Sequence, residues 1–398
     1  MGRAARPAGT RARDTGPVTV KVAVILTARP SWAKLEPVCR ALQARPDVEL
    51  QIIACASALL ERYGRVVEVV RSQGYEIAAE CWSTYEGATL LTSAKETGAL
   101  LTELGSVLSR LQPDVAVVCA DRHEVLAAAQ AVSYLHIPLV HLQGGERTGS
   151  IDDRVRDSIT ALADYHCVAT ERAHFRVYGL TGAAGRIWNT GCPSIDVATE
   201  AQAQPPVTVA ELGGAGAAID LDQPFVVVLQ HPVTSEADQA GAQMVDTLDG
   251  CCTHVPQVVV FWPGQDAGAD AMSKAIREAQ GAVHTVRSLP PARFLRLLTQ
   301  ARVLIGNSSA GIRECSYLGV PVVNIGTRQH GRERGPNVID VPHEAGAIGR
   351  AIAQQLQQGP SPSSTLYGTG TAGAQIAAVI CERVGVDTRP TIVQGYSG

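Results

Sequence analysis

The sequence predicts an α/β chain of two doubly wound, parallel-sheet domains that face each other across a shared cleft. Three observations predict it. Short runs rich in Val, Ile and Leu alternate with longer segments of helical spacing, the pattern of strands buried on both faces between crossover helices. The pattern comes in two sets, parted by a stretch rich in Ala, Gly, Gln and Pro. The length, 398 residues, is too great for one ordinary core and suits two.

The chain opens on MGRAARPAGTRARDTGP, which lacks the apolar segment of a secretory signal, so residues 1–18 are expected to be a disordered leader. A first domain, 19–198, carries candidate strands KVAVILT (21–27), VELQIIAC (48–55), DVAVVCA (114–120) and PLVHL (138–142). AKLEPVCRALQAR and RHEVLAAAQAVSYL read as helices between them. Residues 199–222 are the connection, lying within ATEAQAQPPVTVAELGGAGAAIDLDQP, with room for one short helix. The second domain, 223–370, repeats the pattern in FVVVLQ (225–230), QVVVFW (257–262), ARVLIG (301–306) and PVVNIG (321–326). After a loop-like GPSPSSTLYGTGTAG, residues 371–398 form a terminal helix, AGAQIAAVICERV, and a tail, a unit able to pack back on the first domain. No short-period repeat appears, which argues against a solenoid.

A net charge of -4 provides no general attraction to nucleic acid or an anionic membrane. No apolar run approaches the roughly 20 residues a membrane span needs. The ten cysteines are scattered singly apart from Cys251 and Cys252, without a CxxC pair or zinc spacing. They read as reduced thiols packed as small hydrophobes in a cytoplasmic protein, with no metal site and no structural disulfide.

The stretch GNSSAGIRECSYLGVPVVNIGTRQHGRERG carries the first chemistry. An apolar strand ends at Gly306, and a helix is expected to start near Ser308 to Ala310. Asn307, Ser308 and Ser309 are N-cap types, and free N–H groups at a helix start bind anions. Glu314 is suited to ribose hydroxyls. Beyond the next strand, Arg328, Gln329, His330, Arg332 and Arg334 form a basic loop among glycines, and arginine clamps phosphate bidentately. His231, in LQHPVTSE, follows another strand. A capped helix with a solvated basic turn would explain GNSS alone; the combination points to a nucleotide diphosphate. Neither GxxxxGK[ST] nor a GxGxxG after the first strand is present, which argues against a P-loop NTPase and a typical nicotinamide enzyme.

The first domain's strand ends carry other groups. Arg29, Ser31 and Lys34 follow VILT. Asp121, Arg122, His123 and Glu124 follow AVVCA. Gln143, Glu146, Asp152, Asp153 and Arg156 follow PLVHL. Asp152 or Asp153 alone would read as a helix cap. Together the carboxylates equip a closing cleft with an acid and a base.

At this point DRHEVLAAAQAVSYLHIPLVHLQGGERTGSIDDRVRDSIT, NTGCPSID, LQHPVTSE and IGNSSAGIRECSYLGVPVVNIGTRQHGRE, in that order, resemble the hydrolysing UDP-N-acetylglucosamine 2-epimerases. The likeness includes the epimerase half of the bifunctional epimerase/kinase of animal sialic acid synthesis, and it runs from about Thr27 to Val341. The resemblance implies Rossmann-like domains in a GT-B-like arrangement, with UDP held mainly by the second. It implies a nucleotide-sugar substrate, no cofactor, and a homodimer or homotetramer. The implied reaction removes the C2 proton, eliminates UDP to a 2-acetamidoglucal, and adds water to yield N-acetylmannosamine. By position, Asp121 and Asp152 match the acids of that chemistry, and Arg156 and His231 match further active-site residues. Ser308, Ser309, Glu314 and Arg328 match nucleotide contacts, and Arg29, Ser31 and Lys34 the amino-terminal contact segment; Arg122 belongs with these binding residues. One departure stands out. HLQGGE replaces HIEGGE, so Gln143 stands for a carboxylate, and an amide exchanges no proton at neutral pH. Glu146 or His231 then supplies that function, or the second step or the substrate differs. Other readings remain at this point: a GDP- or diamino-sugar substrate, a non-hydrolysing epimerase, a GT-B glycosyltransferase, or a nucleotide-sugar sensor.

Overall fold

A computed structural model describes residues 19–384, apart from 87–88, 150 and 265; the leader and the end of the tail lie outside the described residues. The first sheet contains β1 (Val20–Leu26), β2 (Val48–Cys55), β3 (Ile77–Cys81), β4 (Val115–Cys119), β5 (Leu139–Leu142), β6 (Tyr165–Val168) and β7 (Ile187–Asn189). Its order is β3-β2-β1-β4-β5-β6-β7, with every pairing parallel. The second contains β8 (Ala215–Gly216), β9 (Val226–Leu229), β10 (Val258–Phe261), β11 (His284–Val286), β12 (Leu304–Gly306), β13 (Val322–Ile325) and β14 (Val338–Val341). Its order is β14-β13-β12-β9-β10-β11-β8, parallel except for β8 against β11.

Apolar side chains line both faces of each sheet, which is why the central strands read as continuous Val/Ile runs. Val22, Val24 and Leu26 of β1 pack under the helix Arg29–Gln43, while Ala23 and Ile25 pack under the helices Leu90–Leu111 and His123–Tyr134. The second sheet is covered in the same way. The chain changes direction across the sheet between β1 and β4, and again between β9 and β12. Crevices for ligands open at the carboxyl ends of such switch points.

Three local outcomes differ from the sequence reading. The helix read from Ala33 begins at Arg29, because Pro30 in its first turn has the φ a helix needs and no N–H to waste. Arg29, Ser31 and Lys34 therefore share its first two turns. The connection is not only a linker, since Ala215–Gly216 pairs with β11 as an edge strand. The described residues also hold short strands, such as β3, β6, β7 and β11, that no long apolar run marks in the sequence.

The helix Ser194–Gln202 lies between the domains, its Val197, Ala198 and Ala201 joining the second domain's core. The last helix, Ala372–Val379, returns to the first domain, where Ile376 and Ile380 pack with Leu35 and Val38. It approaches so closely that a Cβ on Gly373 would lie 2.6 Å from the Pro37 backbone. Asp196 caps it, accepting the N–H of Ala372 at 3.0 Å and of Gly373 at 2.7 Å. Asp196→Ala is expected to cost about 1 kcal/mol, read as a lowered urea midpoint at unchanged m-value.

Candidate active site

The acid-bearing half starts where β4 ends. Ala120 takes a left-handed φ of 71°, a conformation that costs a non-glycine residue about 1–2 kcal/mol. The chain turns sharply there and presents Asp121. The Asp121 carboxylate accepts a hydrogen bond from Arg156, which is buried in the helix Asp152–Leu162. Arg156 also donates to the Glu146 carbonyl at 2.6 Å and to Asp153 at 2.7 Å. Asp153 in turn accepts the Thr148 N–H at 2.7 Å, the Thr148 hydroxyl at 2.9 Å and the Gly149 N–H at 2.8 Å. Of the two adjacent acids, Asp153 thus builds the loop. Asp152, half-buried beside it, exerts its charge on Arg328 of the opposite domain.

Gln143 is buried with a left-handed φ of 65°; its amide nitrogen donates to Cys192 Sγ, and its Oε1 has no partner. Lys34 belongs to the same neighbourhood, which includes Cys119, Cys192, Arg313 and Arg332. Burial, followed by the charge of Arg313, lowers its pKa.

The opposite half is built on β9, β12 and β13. Gly306 at the end of β12 is obligatory, because a Cβ there would lie 2.3 Å from the Leu229 carbonyl oxygen. The buried Asn307 stitches the two strand ends, accepting the His231 N–H at 2.7 Å and donating to the His231 carbonyl at 2.8 Å. Its own carbonyl accepts from Arg328 at 3.2 Å and Gln329 at 2.8 Å. The capping read for Asn307 falls to Ser308, whose hydroxyl accepts the Ala310 N–H at 3.3 Å at the start of the short helix Ser309–Ile312. Glu314 opens the next short helix, buried, with Oε2 unpartnered. His231 Nδ1 accepts the Gly264 N–H at 3.0 Å, which leaves the neutral ring's proton on Nε2. Burial, and after it Arg328, pushes its pKa down to about 3. Arg29 adds to that field from the first domain. Ser31 is buried, with its N–H on the Ala28 carbonyl at 3.0 Å.

Two ion clusters cross the cleft. Arg122 contacts Glu124 at 3.1 Å and, from the second domain, Asp266 at 3.2 Å, so its guanidinium is already engaged by carboxylates. Glu146 accepts from Arg313 and, at 2.8 Å, from Arg332. Burial alone would raise the Glu146 pKa, but Arg313 and Arg332 outweigh it and hold the pKa at about 2. Arg313 and Asp266 were missed from the sequence. Asp266 follows β10 just as His231 follows β9, so the strand-end rule applied to FWPGQDAG would have found it. No group of three or more His, Cys, Asp or Glu among the described residues is arranged to hold a metal ion. No helix among them is long and apolar enough to cross a membrane.

A model of the UDP-N-acetylglucosamine 2-epimerase family matches residues 40–381. The chain belongs to that family. Its relatives include a UDP-N,N′-diacetylbacillosamine 2-epimerase (hydrolyzing) of Legionella pneumophila, 29% identical over 352 residues, 88% of this chain and 92% of the relative. A UDP-N-acetylglucosamine 2-epimerase of Neisseria meningitidis is 29% identical over 370 residues, 90% of this chain and 94% of the relative. The crystal structure of a Neisseria meningitidis UDP-GlcNAc 2-epimerase bound to UDP-GlcNAc has the same fold, with a TM-score of 0.77 at 17% identity over 92% of this chain and 100% of that one. The facing Rossmann-like domains of this 2-epimerase family member are accordingly GT-B-like.

The Glu146 cluster yields a signed expectation for this epimerase. Its carboxyl is more acidic folded than the ordinary value of about 4.3. Its contribution to stability is therefore complete above that value and is lost as pH falls toward about 2. Glu146→Gln leaves two buried guanidiniums without their anion and is expected to destabilise the protein by about 3–5 kcal/mol. Denaturant unfolding at pH 7 and pH 3 checks both points, because the gap between wild type and variant should shrink at the lower pH.

Proposed function

We propose that this chain is a hydrolysing 2-epimerase that converts a UDP-linked 2-acetamido hexose, in the simplest case UDP-N-acetylglucosamine, and water into N-acetylmannosamine and UDP. The observation that carries the reading is the division of the cleft. Asp121, with Arg156 on it, and Asp152 stand on one edge. Arg328, the His231 Nε2–H and the helix start at Ser308 stand on the other.

Asp121, hydrogen-bonded to Arg156, takes the proton from C2. The C–H electron pair becomes the C1=C2 bond as the C1–O bond to UDP breaks, and the diphosphate leaves with its negative charge. Arg328 and His231 meet that charge, and a neutral imidazole donates there without adding a second titration. Water then adds hydroxyl to C1 and hydrogen to C2. Inversion requires this hydrogen to arrive on the face opposite the one it left, so a second proton-handling group is needed. Gln143 exchanges no proton, Glu146 is locked as an anion and His231 is assigned to the diphosphate, so this step is given to Asp152. Glu146 acts in closure instead.

A second substrate, UDP-N,N′-diacetylbacillosamine, is supported by the hydrolysing Legionella pneumophila relative. Purified protein should be given both nucleotide sugars in deuterium oxide. The expected result is free UDP and a 2-epimerised free sugar with deuterium at C2, and relative kcat/KM decides the substrate. Intact epimerised UDP-sugar would overturn hydrolysis, and recovery of both substrates unchanged would overturn the reading.

Asp121→Asn should reduce deuterium incorporation about 100-fold or more while calorimetric UDP affinity stays within about twofold. Full turnover in that variant would remove Asp121 from its role.

A further inference from the structure

Beneath the acids lies an imidazole that none of the steps above uses. His141 is fully buried in β5, in register with Val118 of β4 on one side and His166 of β6 on the other. Its Nε2 lies 3.0 Å from the Ala120 carbonyl oxygen, and its Nδ1 lies 3.1 Å from the Thr160 hydroxyl. A carbonyl only accepts, so Nε2 carries the proton and Nδ1 accepts from Thr160. Burial pushes the ring's pKa down to about 4, so this one tautomer persists at neutral pH.

Both ends of the bridge matter. The Ala120 carbonyl belongs to the peptide whose nitrogen is that of Asp121, and Ala120 is the left-handed residue on which the presentation of Asp121 depends. Its N–H is held too, by the Leu142 carbonyl at 3.1 Å. Thr160 lies in the helix Asp152–Leu162, which carries Arg156, the partner of Asp121. Gly144 leaves the bridge room, since a Cβ there would lie 2.9 Å from the Thr160 hydroxyl and 3.1 Å from His141 Nδ1.

We propose that His141 is a positioning residue for the proton transfer, because its two hydrogen bonds fix the strained corner that presents Asp121 relative to the helix that supplies Arg156. It acts through Asp121 and touches no substrate. The kinetic consequence rests on the epimerase reading; the structural consequence does not.

The test compares His141→Phe, which keeps a ring and loses both bonds, with His141→Gln, whose amide nitrogen can still reach the Ala120 carbonyl. In His141→Phe, kcat for deuterium incorporation at C2 should fall roughly 10- to 100-fold, with KM and UDP affinity within about twofold. His141→Gln should recover most of the loss. A crystal structure of His141→Phe should show Ala120 out of the left-handed region and the Asp121–Arg156 contact broken. That arm decides the proposal even if wild type turns over neither nucleotide sugar. Should His141→Phe not fold, Thr160→Val removes one bond alone and should lower kcat about fivefold at unchanged KM. Wild-type kcat in the variant that folds, an equal loss in Phe and Gln, or an undisturbed Ala120–Asp121 corner would overturn the proposal.

Discussion

One buried carboxylate is tied to both halves of the molecule at once. Glu146 reaches outward with its side chain to Arg313 and Arg332 of the second domain, while its backbone carbonyl receives Arg156 from within the first. Burying that many charges is tolerable only because they neutralise one another. The same residue therefore links the closeness of the domains to the orientation of Arg156, and through Arg156 to Asp121. The contact between the domains and the orientation of Asp121 share one set of hydrogen bonds.

Around this lock the cleft keeps its charges sorted. Parallel sheets deliver their loops to one edge, so the residues after β4 and β5 face those after β9, β12 and β13. The acid half ends in carboxylates that are individually held: Asp121 by Arg156, Asp153 by its own loop. The other half offers cations, a capped helix start and an imidazole that burial keeps uncharged. Carboxylates and cations thereby stand on separate walls. Under the proposed elimination, sorting of this kind would keep the groups that meet the diphosphate from quenching the base.

Much of this order is local enough to read from the chain. Valine and isoleucine runs mark β1, β2, β4, β9 and β10 because those strands are apolar on both faces, and the residues just past them mark the cleft. Strands such as YHCV and HTV escape because His166, buried without a hydrogen-bond partner, and His284, held by the distant Ala217 and Gly213 carbonyls, look polar in sequence. Asn307 looks like a cap, yet it stitches β12 to His231, an arrangement set by a neighbour 76 residues away. Nothing in GIRECS singles out Arg313, and only the opposing domain turns it into a partner of Glu146. Pairwise partners across a cleft leave no periodic trace, which is why single-strand logic marks the residues at the strand ends but not what holds them.

The returning helix Ala372–Val379 has a consequence for biosynthesis. Ile376 and Ile380 complete a core whose other members come from the first half of the chain. During translation that half leaves the ribosome with an uncovered greasy groove beside Leu35 and Val38. It must wait for the entire second domain to be made before the groove is sealed. Nascent chains of this architecture are thus exposed to chaperones and to self-association for most of their synthesis, and the final capping of the first domain becomes the checkpoint of folding.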